Sequence, residues 1–256
     1  MDEIRELNRL AGRAFGVLSA EAPGLELRLT RDCAMGLSGE PVLDFNMVFL
    51  GPDDDAAGFL HASVARAGER KLPMLVLTTP HVAADIAPVA ERLGLEAAGT
   101  VPLMVLRHAA TVRPEPVCGV ERAAGDMVAH AGDLVAAAFD ISRAATARVL
   151  DASLIDTAAA ECYVGLSGGT PMSAVTVTRA GSTAGIWCMA TPPEHQSKGM
   201  GRALLTRVIE RFRGQGVERF YLTATAAGRP LYESIGFETL ADYAVWVLGA
   251  PAGAHA

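Results

Sequence analysis

The stretch Thr191-Pro192-Pro193-Glu194-His195-Gln196-Ser197-Lys198-Gly199-Met200-Gly201-Arg202 brings together residue types that suit a phosphorylated ligand. Apolar residues run up to Ala190, as in a strand. From Met200 an apolar stripe continues at helical spacing through Leu204, Val208 and Phe212. The loop therefore joins a strand to a helix N-terminus. Such a terminus offers unpaired N–H groups and the positive end of the helix dipole. Gly199 and Gly201 have no Cβ to keep a ligand away from the backbone. Lys198 and Arg202 add positive charge. Together these features make a seat for a pyrophosphate.

About thirty residues on stands Tyr232, on a short predicted helix from Arg229 to Ile235. A phenol there can donate a proton, although most tyrosines at such positions are structural. The carboxylates and imidazole that could take a proton are Asp140, Glu161, Glu194 and His195, and the residues alone do not choose among them. Cys188 precedes the loop, but a lone cysteine in a strand is usually packing.

Gln196-x-x-Gly199-x-Gly201 resembles the Gln/Arg-x-x-Gly-x-Gly/Ala motif of the GNAT acyltransferases, and the likeness extends from about residue 118 to 248. The segment Thr225-Ala226-Ala227-Gly228-Arg229-Pro230-Leu231-Tyr232-Glu233-Ser234-Ile235-Gly236-Phe237 is similar to a second motif of that family, Asn-x-x-Ala-x-x-x-Tyr-x-x-x-Gly-Phe. It departs at Thr225, where Asn is common, and at Gly228, where Ala is common.

The resemblance implies an N-acetyltransferase that moves an acetyl group from acetyl-CoA to an amine by direct attack, with no metal. It implies cosubstrate contacts from Met189, Ala190 and Thr191, whose strand splays from its neighbour and offers backbone groups to the pantetheine and the acetyl carbonyl. Further contacts come from Gln196, Ser197, Lys198, Gly199, Met200, Gly201 and Arg202, and from Thr225 and Gly228. It puts Tyr232 beside the sulfur as general acid to the leaving thiolate. Two other readings stay open: an acyl-CoA sensor without catalysis, and a transferase of a longer acyl chain, for which Gly228 leaves room.

The elements that position these residues alternate in type. Helices are predicted at Asp2–Leu18, Ala56–Ala67, Val82–Leu93, Ala124–Phe139, Arg143–Asp156, Gly199–Arg213 and Arg229–Ile235. Strands are predicted at Val42–Leu50, Met74–Thr78, Thr100–Leu106, Ala160–Leu166, Pro171–Arg179, Ala184–Ala190, Phe220–Ala224 and Tyr243–Leu248. The fold class is α/β. With the resemblance, it becomes two GNAT-like lobes, each a mixed, mostly antiparallel sheet flanked by helices. Pro114 and Pro116 read as a linker at 109–117, which divides the chain into a lobe at 1–110 and a catalytic domain at 118–256.

A shift of 142 residues lays Glu91-Arg92-Leu93-Gly94-Leu95-Glu96 on Glu233-Ser234-Ile235-Gly236-Phe237-Glu238. Helix-Gly-strand units can look alike without common descent; the other reading is a duplication. In the first copy the position of Tyr232 is held by Ala90, and Asp53, Asp54 and Asp55 precede the first internal helix. Three carboxylates repel a pyrophosphate, so one active site is expected, with the first lobe packed on the second and walling part of an acceptor pocket.

Half of the residues are hydrophobic and 20% are charged, which supports a sizeable core. The net charge of −7 and the lack of a basic run argue against nucleic acid or anionic lipid as partner. The charged start of the chain, the lack of a long apolar run and four scattered cysteines without a Cys-x-x-Cys pair point to a cytoplasmic protein without a membrane span. The expected partner is a small-molecule amine or an amino terminus, and the chain is expected to be a monomer or a homodimer.

Overall fold

The computed structural model describes residues 2–107, 119–151 and 159–249. The predicted linker at 109–117, Cys118 and the end of the helix predicted to reach Asp156 lie outside these residues. The chain divides into two compact units. The first holds Met1–Met104, Thr223–Ala226 and Thr239–Ala256, and the second holds Val105–Leu222 and Ala227–Glu238.

The first unit opens with α1 (Glu3–Leu18), capped by the Asp2 carboxylate, which accepts from the Ile4 N–H at 3.1 Å. Leu7, Ala11, Ala14, Phe15 and Leu18 form its buried stripe. There follow β1 (Glu26–Leu29), β2 (Ala34–Leu37), β3 (Asn46–Leu50), α2 (Ala56–Arg70), β4 (Met74–Thr78), α3 (Ala83–Arg92) and β5 (Glu96–Leu106). The strand predicted from Val42 starts at Asn46 instead, because residues 43–45 form a 3-10 turn. Asn46, fully buried, holds that turn. Its amide donates to the carbonyls of Glu40 and Val42 and accepts from the Ser38 N–H.

The second unit contains β6 (Gly119–Arg122), α4 (Asp126–Phe139) and α5 (Arg143–Thr146), the last running into a wide turn at Ala147–Asp151. Then come β7 (Ala160–Ser167), β8 (Thr170–Ala180), β9 (Thr183–Ala190), α6 (Met200–Gly214), β10 (Arg219–Thr223) and α7 (Arg229–Ile235). The last strand, β11 (Glu238–Leu248), leaves this unit and pairs antiparallel with β4, Ala244 opposite Thr78 through Leu248 opposite Met74.

Each unit has a mixed, mostly antiparallel sheet. In the first the order is β1-β2-β3-β4-β11 with β5 beyond, and β3 and β4 are parallel. In the second the order is β10-β9-β8-β7-β6, and β9 and β10 are parallel. The core of the first unit lies under α2 and α3 and includes Met35, Val48, Leu60, Met74, Val76, Ile86 and Trp246.

The sequence repeat has a structural counterpart. Gly94 and Gly236 both take left-handed φ, 78° and 105°, after a helix. The N–H groups of Gly94 and Leu95 bond the carbonyls of Glu91 and Ala90. Those of Gly236 and Phe237 bond the carbonyls of Glu233 and Tyr232. Leu95 and Phe237 are both buried, and an 11-residue strand follows each cap.

Candidate active site

Near its C-terminal end β9 bulges against β8 and runs past the end of its pairing with β10. On one side β8 pairs Thr176 with Trp187 and Ala174 with Ala190, so β9 carries one residue more than β8 over this interval. The extra residue falls at Cys188–Met189, and Cys188 has a left-handed φ of 48°. On the other side the parallel pairing with β10 runs from Thr183–Arg219 to Gly185–Tyr221. Beyond it β9 continues for five residues. The ladder is thus irregular at Cys188 and Met189, and Ala190 pairs again with Ala174 of β8; Ala190 is buried and Met189 half-buried.

A side-chain wedge marks the point of divergence. The Trp187 indole N–H donates to Thr178 Oγ1 at 2.8 Å, and its ring meets Tyr221 edge to face, with centroids 6.3 Å apart. The indole folds back over Gly185: a Cβ at Gly185 would lie 2.6 Å from Trp187 Nε1 and 2.9 Å from both Thr178 Oγ1 and Tyr221 Cζ. Sequence reasoning missed this group. Its signal was a glycine inside a strand, two residues before a tryptophan.

After β9 the chain makes a short 3-10 turn at Pro193–His195 and enters α6. The Gln196 amide braces the loop, donating to the Thr191 carbonyl at 3.0 Å. The Lys198 ammonium donates to the Glu194 carbonyl at 2.7 Å, and Arg202 is exposed. Ser197 and Gly199 take left-handed φ of 60° and 75°. Gly199 is the N-cap of α6; no side chain caps the helix and its first turn carries no acid. Its N-terminal N–H groups therefore lack the usual side-chain acceptor. The Met200 side chain packs with Ala203, Val120 and Met172, so only its backbone faces a ligand. A Cβ at Gly201 would sit 3.1 Å from Met189 Cε, 3.2 Å from Thr191 Oγ1 and 3.6 Å from Leu231 Cδ2. The missing side chain lets α6 approach the end of β9 and α7 closely.

Gly228 caps α7, which carries Tyr232. Thr225 lies in the exposed turn after β10, within the short stretch Thr223–Ala226 that groups with the first unit. Tyr232 is buried, with its ring edge-on to Phe237 at 5.8 Å. Burial pushes its phenol up to about 12, and the nearby Cys188 thiol pushes in the same direction. Within the second unit, therefore, the bulged end of β9, the uncapped N-terminus of α6 and Tyr232 come together. Glu161 stands apart. It accepts from the Tyr163 hydroxyl at 2.6 Å and lies 3.3 Å from Arg122. Tyr163 packs on Phe212 and Arg211, near the far end of α6. Asp140 caps α4 at a left-handed φ of 52°, and Glu194 is exposed. His195 Nδ1 is buried without a hydrogen-bond partner.

Residues 134–237 match the model of the acetyltransferase (GNAT) family, a range that holds both motifs and runs from α4 to the end of α7. The matched segment, residues 134–237, is a GNAT acetyltransferase domain. Solved structures of similar fold span nearly the whole chain. A GCN5-related N-acetyltransferase from Kribbella flavida has a TM-score of 0.73 at 13% identity, over 99% of this chain and 98% of that one. One from Sphaerobacter thermophilus has 0.59 at 13%, over 96% and 91%. A tandem GNAT protein of the clavulanic acid biosynthesis pathway has 0.56 at 13%, over 90% and 85%. The GNAT family consists of acyltransferases that draw the acyl group from an acyl-CoA, and that is the chemistry of this chain. Among the described residues no group of three or more His, Cys, Asp and Glu could hold a metal ion, and no helix is long and apolar enough to cross a membrane.

Proposed function

We propose that the protein is an N-acetyltransferase that carries acetyl from acetyl-CoA directly to an amine, and that the chemistry belongs to the second unit alone. The observation that carries this reading is the uncapped N-terminus of α6 beside the bulged end of β9, with Tyr232 in electrostatic reach of Cys188. The pyrophosphate sits over residues 196–202, on backbone N–H groups at the positive end of the helix dipole. Pantetheine extends along Met189–Thr191, at the end of β9 that runs beyond its pairing with β10. A backbone N–H of that stretch receives the developing oxyanion.

The bond-making sequence is short. The neutral amine attacks the thioester carbon, the tetrahedral intermediate collapses, the carbon–sulfur bond breaks and Tyr232 protonates the departing thiolate. A phenol raised to about 12 stays protonated at neutral pH, as an acid must before the step. The acceptor is a small molecule or an amino terminus. The four base candidates divide on geometry: Glu161 is engaged near the far end of α6, which leaves Asp140, Glu194, His195 or ordered water to take the proton.

The first unit reads as a degenerate copy whose counterpart site is filled by its own chain. Its parallel strands stay paired to their ends, Leu50 opposite Thr78, and the Thr79 N–H then takes the Leu50 carbonyl at 2.9 Å. Asp55 caps α2, accepting from the Gly58 N–H at 2.9 Å, where α6 has only glycine. The aligned Ala90 has no proton to give.

The test is a panel of amines with acetyl-CoA, followed by release of free thiol, in wild type and Tyr232→Phe. The variant keeps the ring against Phe237 and should keep its affinity for CoA. Its kcat should fall by about 10²- to 10⁴-fold. Full turnover in the variant removes Tyr232 as the acid. Tight acetyl-CoA binding with no acetylated amine in wild type favours a sensor, and faster turnover of longer acyl-CoA thioesters changes the donor.

A further inference from the structure

The sheet of the first unit has an open edge. β1 is the last strand in the order and pairs on one side only, with β2. The two ladders of β2 show which backbone groups face outward. The Thr30 N–H donates to the Cys33 carbonyl, and on the far side of β2 the Ser38 N–H donates to the Phe45 carbonyl. Successive residues of a strand alternate in direction. Glu26 and Arg28 therefore bond β2, and the N–H and C=O groups of Leu27 and Leu29 point away from the sheet.

Proteins usually guard such an edge with a proline, a bulge or a lysine. β1 has none of these. Its register with β2 is unbroken, and Glu26-Leu27-Arg28-Leu29 alternates charged and apolar residues. Among the described residues three large apolar side chains are exposed, and Leu27 and Leu29, at 42% and 47%, are two of them. Both stand on the α1 face, where Leu27 leans on Gly16; a Cβ there would lie 2.8 Å from Leu27 Cδ2. On the opposite, α2 face Arg28 lies over the Phe59 ring, and Glu26 meets Arg66 and Arg70.

The strand that matches this pattern is β1 itself. Outward-facing residues must meet in an antiparallel pair, so a twofold axis can pass through Leu27, Arg28 or Leu29. An axis at Arg28 sets that arginine against its own copy, and like charges directly opposite are destabilising. An axis at Leu29 sets Leu27 against Arg31 and Glu26 against Asp32. An axis at Leu27 sets Leu27 against Leu27 and Leu29 against Leu25. It also sets Glu26 against Arg28 twice, at the positions without hydrogen bonds where opposite side chains come closest. Around Glu26 each copy carries Arg28, Arg66 and Arg70 against Glu26 and Glu69. That positive excess is the same in every register and does not choose among them; the directly opposite pairs do.

We propose that β1 is the interface with a second copy of this chain, the two strands pairing antiparallel with Leu27 on the twofold axis. The surface belongs to the first unit and does not depend on the α6 seat or on the acyl reaction.

Sedimentation equilibrium of the full chain tests it. The interface is small, so a reversible dimer is expected within about 1–100 μM chain. Leu27→Pro removes an outward N–H and none that bonds β2, so it should keep the fold and weaken association at least about tenfold. Leu27→Glu, which opposes two carboxylates on the axis, should do the same without a proline. The charges test the register. Arg28→Glu sets Glu against Glu, Glu26→Arg sets Arg against Arg, and each variant alone should be monomeric. Mixed in equal amounts, the two restore both opposite pairs and should form a heterodimer. Circular dichroism establishes that each variant is folded; should a charge variant lose its fold, the two Leu27 variants decide. The proposal is overturned if wild type stays monomeric throughout, which would leave the edge to a strand of a different protein. It is equally overturned if folded Leu27 variants associate like wild type, or if the folded charge variants stay monomeric when mixed.

Discussion

Single residues fix how far β9 and β10 separate. Gly185 has to lack a Cβ for the Trp187 indole to lie over it and reach Thr178. Gly185→Ala should destabilise the protein by about 1–3 kcal/mol, read as a lower urea midpoint, because the indole must move. It should also weaken acetyl-CoA binding through the displaced end of β9. A second pair of predictions concerns pH. The Arg5 guanidinium, bonded to Asp32, holds that carboxyl below the usual carboxylate range; burial opposes the shift and Arg9 adds to it. A lowered folded-state value means that the stabilisation is present above about pH 4, the unfolded value, and is lost as the pH falls. Asp32→Asn should cost about 3 kcal/mol at neutral pH, and the gap to wild type in urea unfolding should narrow in acid. For Tyr232 the sign is opposite. Its raised value keeps the acid protonated, so the alkaline fall in kcat should lie near pH 12 rather than near an ordinary tyrosine's 10. The residues proposed for the chemistry are those the sequence singles out, because glycines, cations and a tyrosine stand at telling intervals. The Cys188 bulge and the Trp187 wedge were not, since both depend on which strand lies alongside.

At the scale of elements, what distinguishes the two helix N-termini is what fills them. α2 begins with its own carboxylate cap and α6 with a glycine. Asp55→Ala should therefore cost about 1 kcal/mol in urea unfolding, and it should not create a CoA site, because β3 and β4 remain paired to their ends. Helices with a strong apolar stripe were legible nearly to the residue, as in α1 and α6, whereas α2 runs three residues past its predicted end at Ala67. Buried strands of continuous apolar residues, β4 above all, were equally plain. β1 and β2 were not: Glu26-Leu27-Arg28-Leu29 is a short, exposed strand with little to separate it from a loop. Nor was the late start of β3, where a buried asparagine turns the chain in a way that periodicity does not record.

For the molecule as a whole, the repeat seen in six residues extends to helix caps, buried apolar residues and equal strands. Sequence adjacency put β11 at the end of the second lobe, yet it pairs with β4 of the first unit. No local signal announces such a pairing, because the strand's apolar pattern suits either sheet. The central claim is that this two-unit chain has one acyl-CoA seat, at the α6 terminus. Calorimetric titration with acetyl-CoA tests it most directly, in wild type and in Gly201→Val, whose side chain would press on Met189 and Thr191. The account predicts one site per chain in wild type, and at least about tenfold weaker binding in the variant with its fold retained. Two sites per chain, or unchanged affinity in a folded Gly201→Val protein, would contradict it.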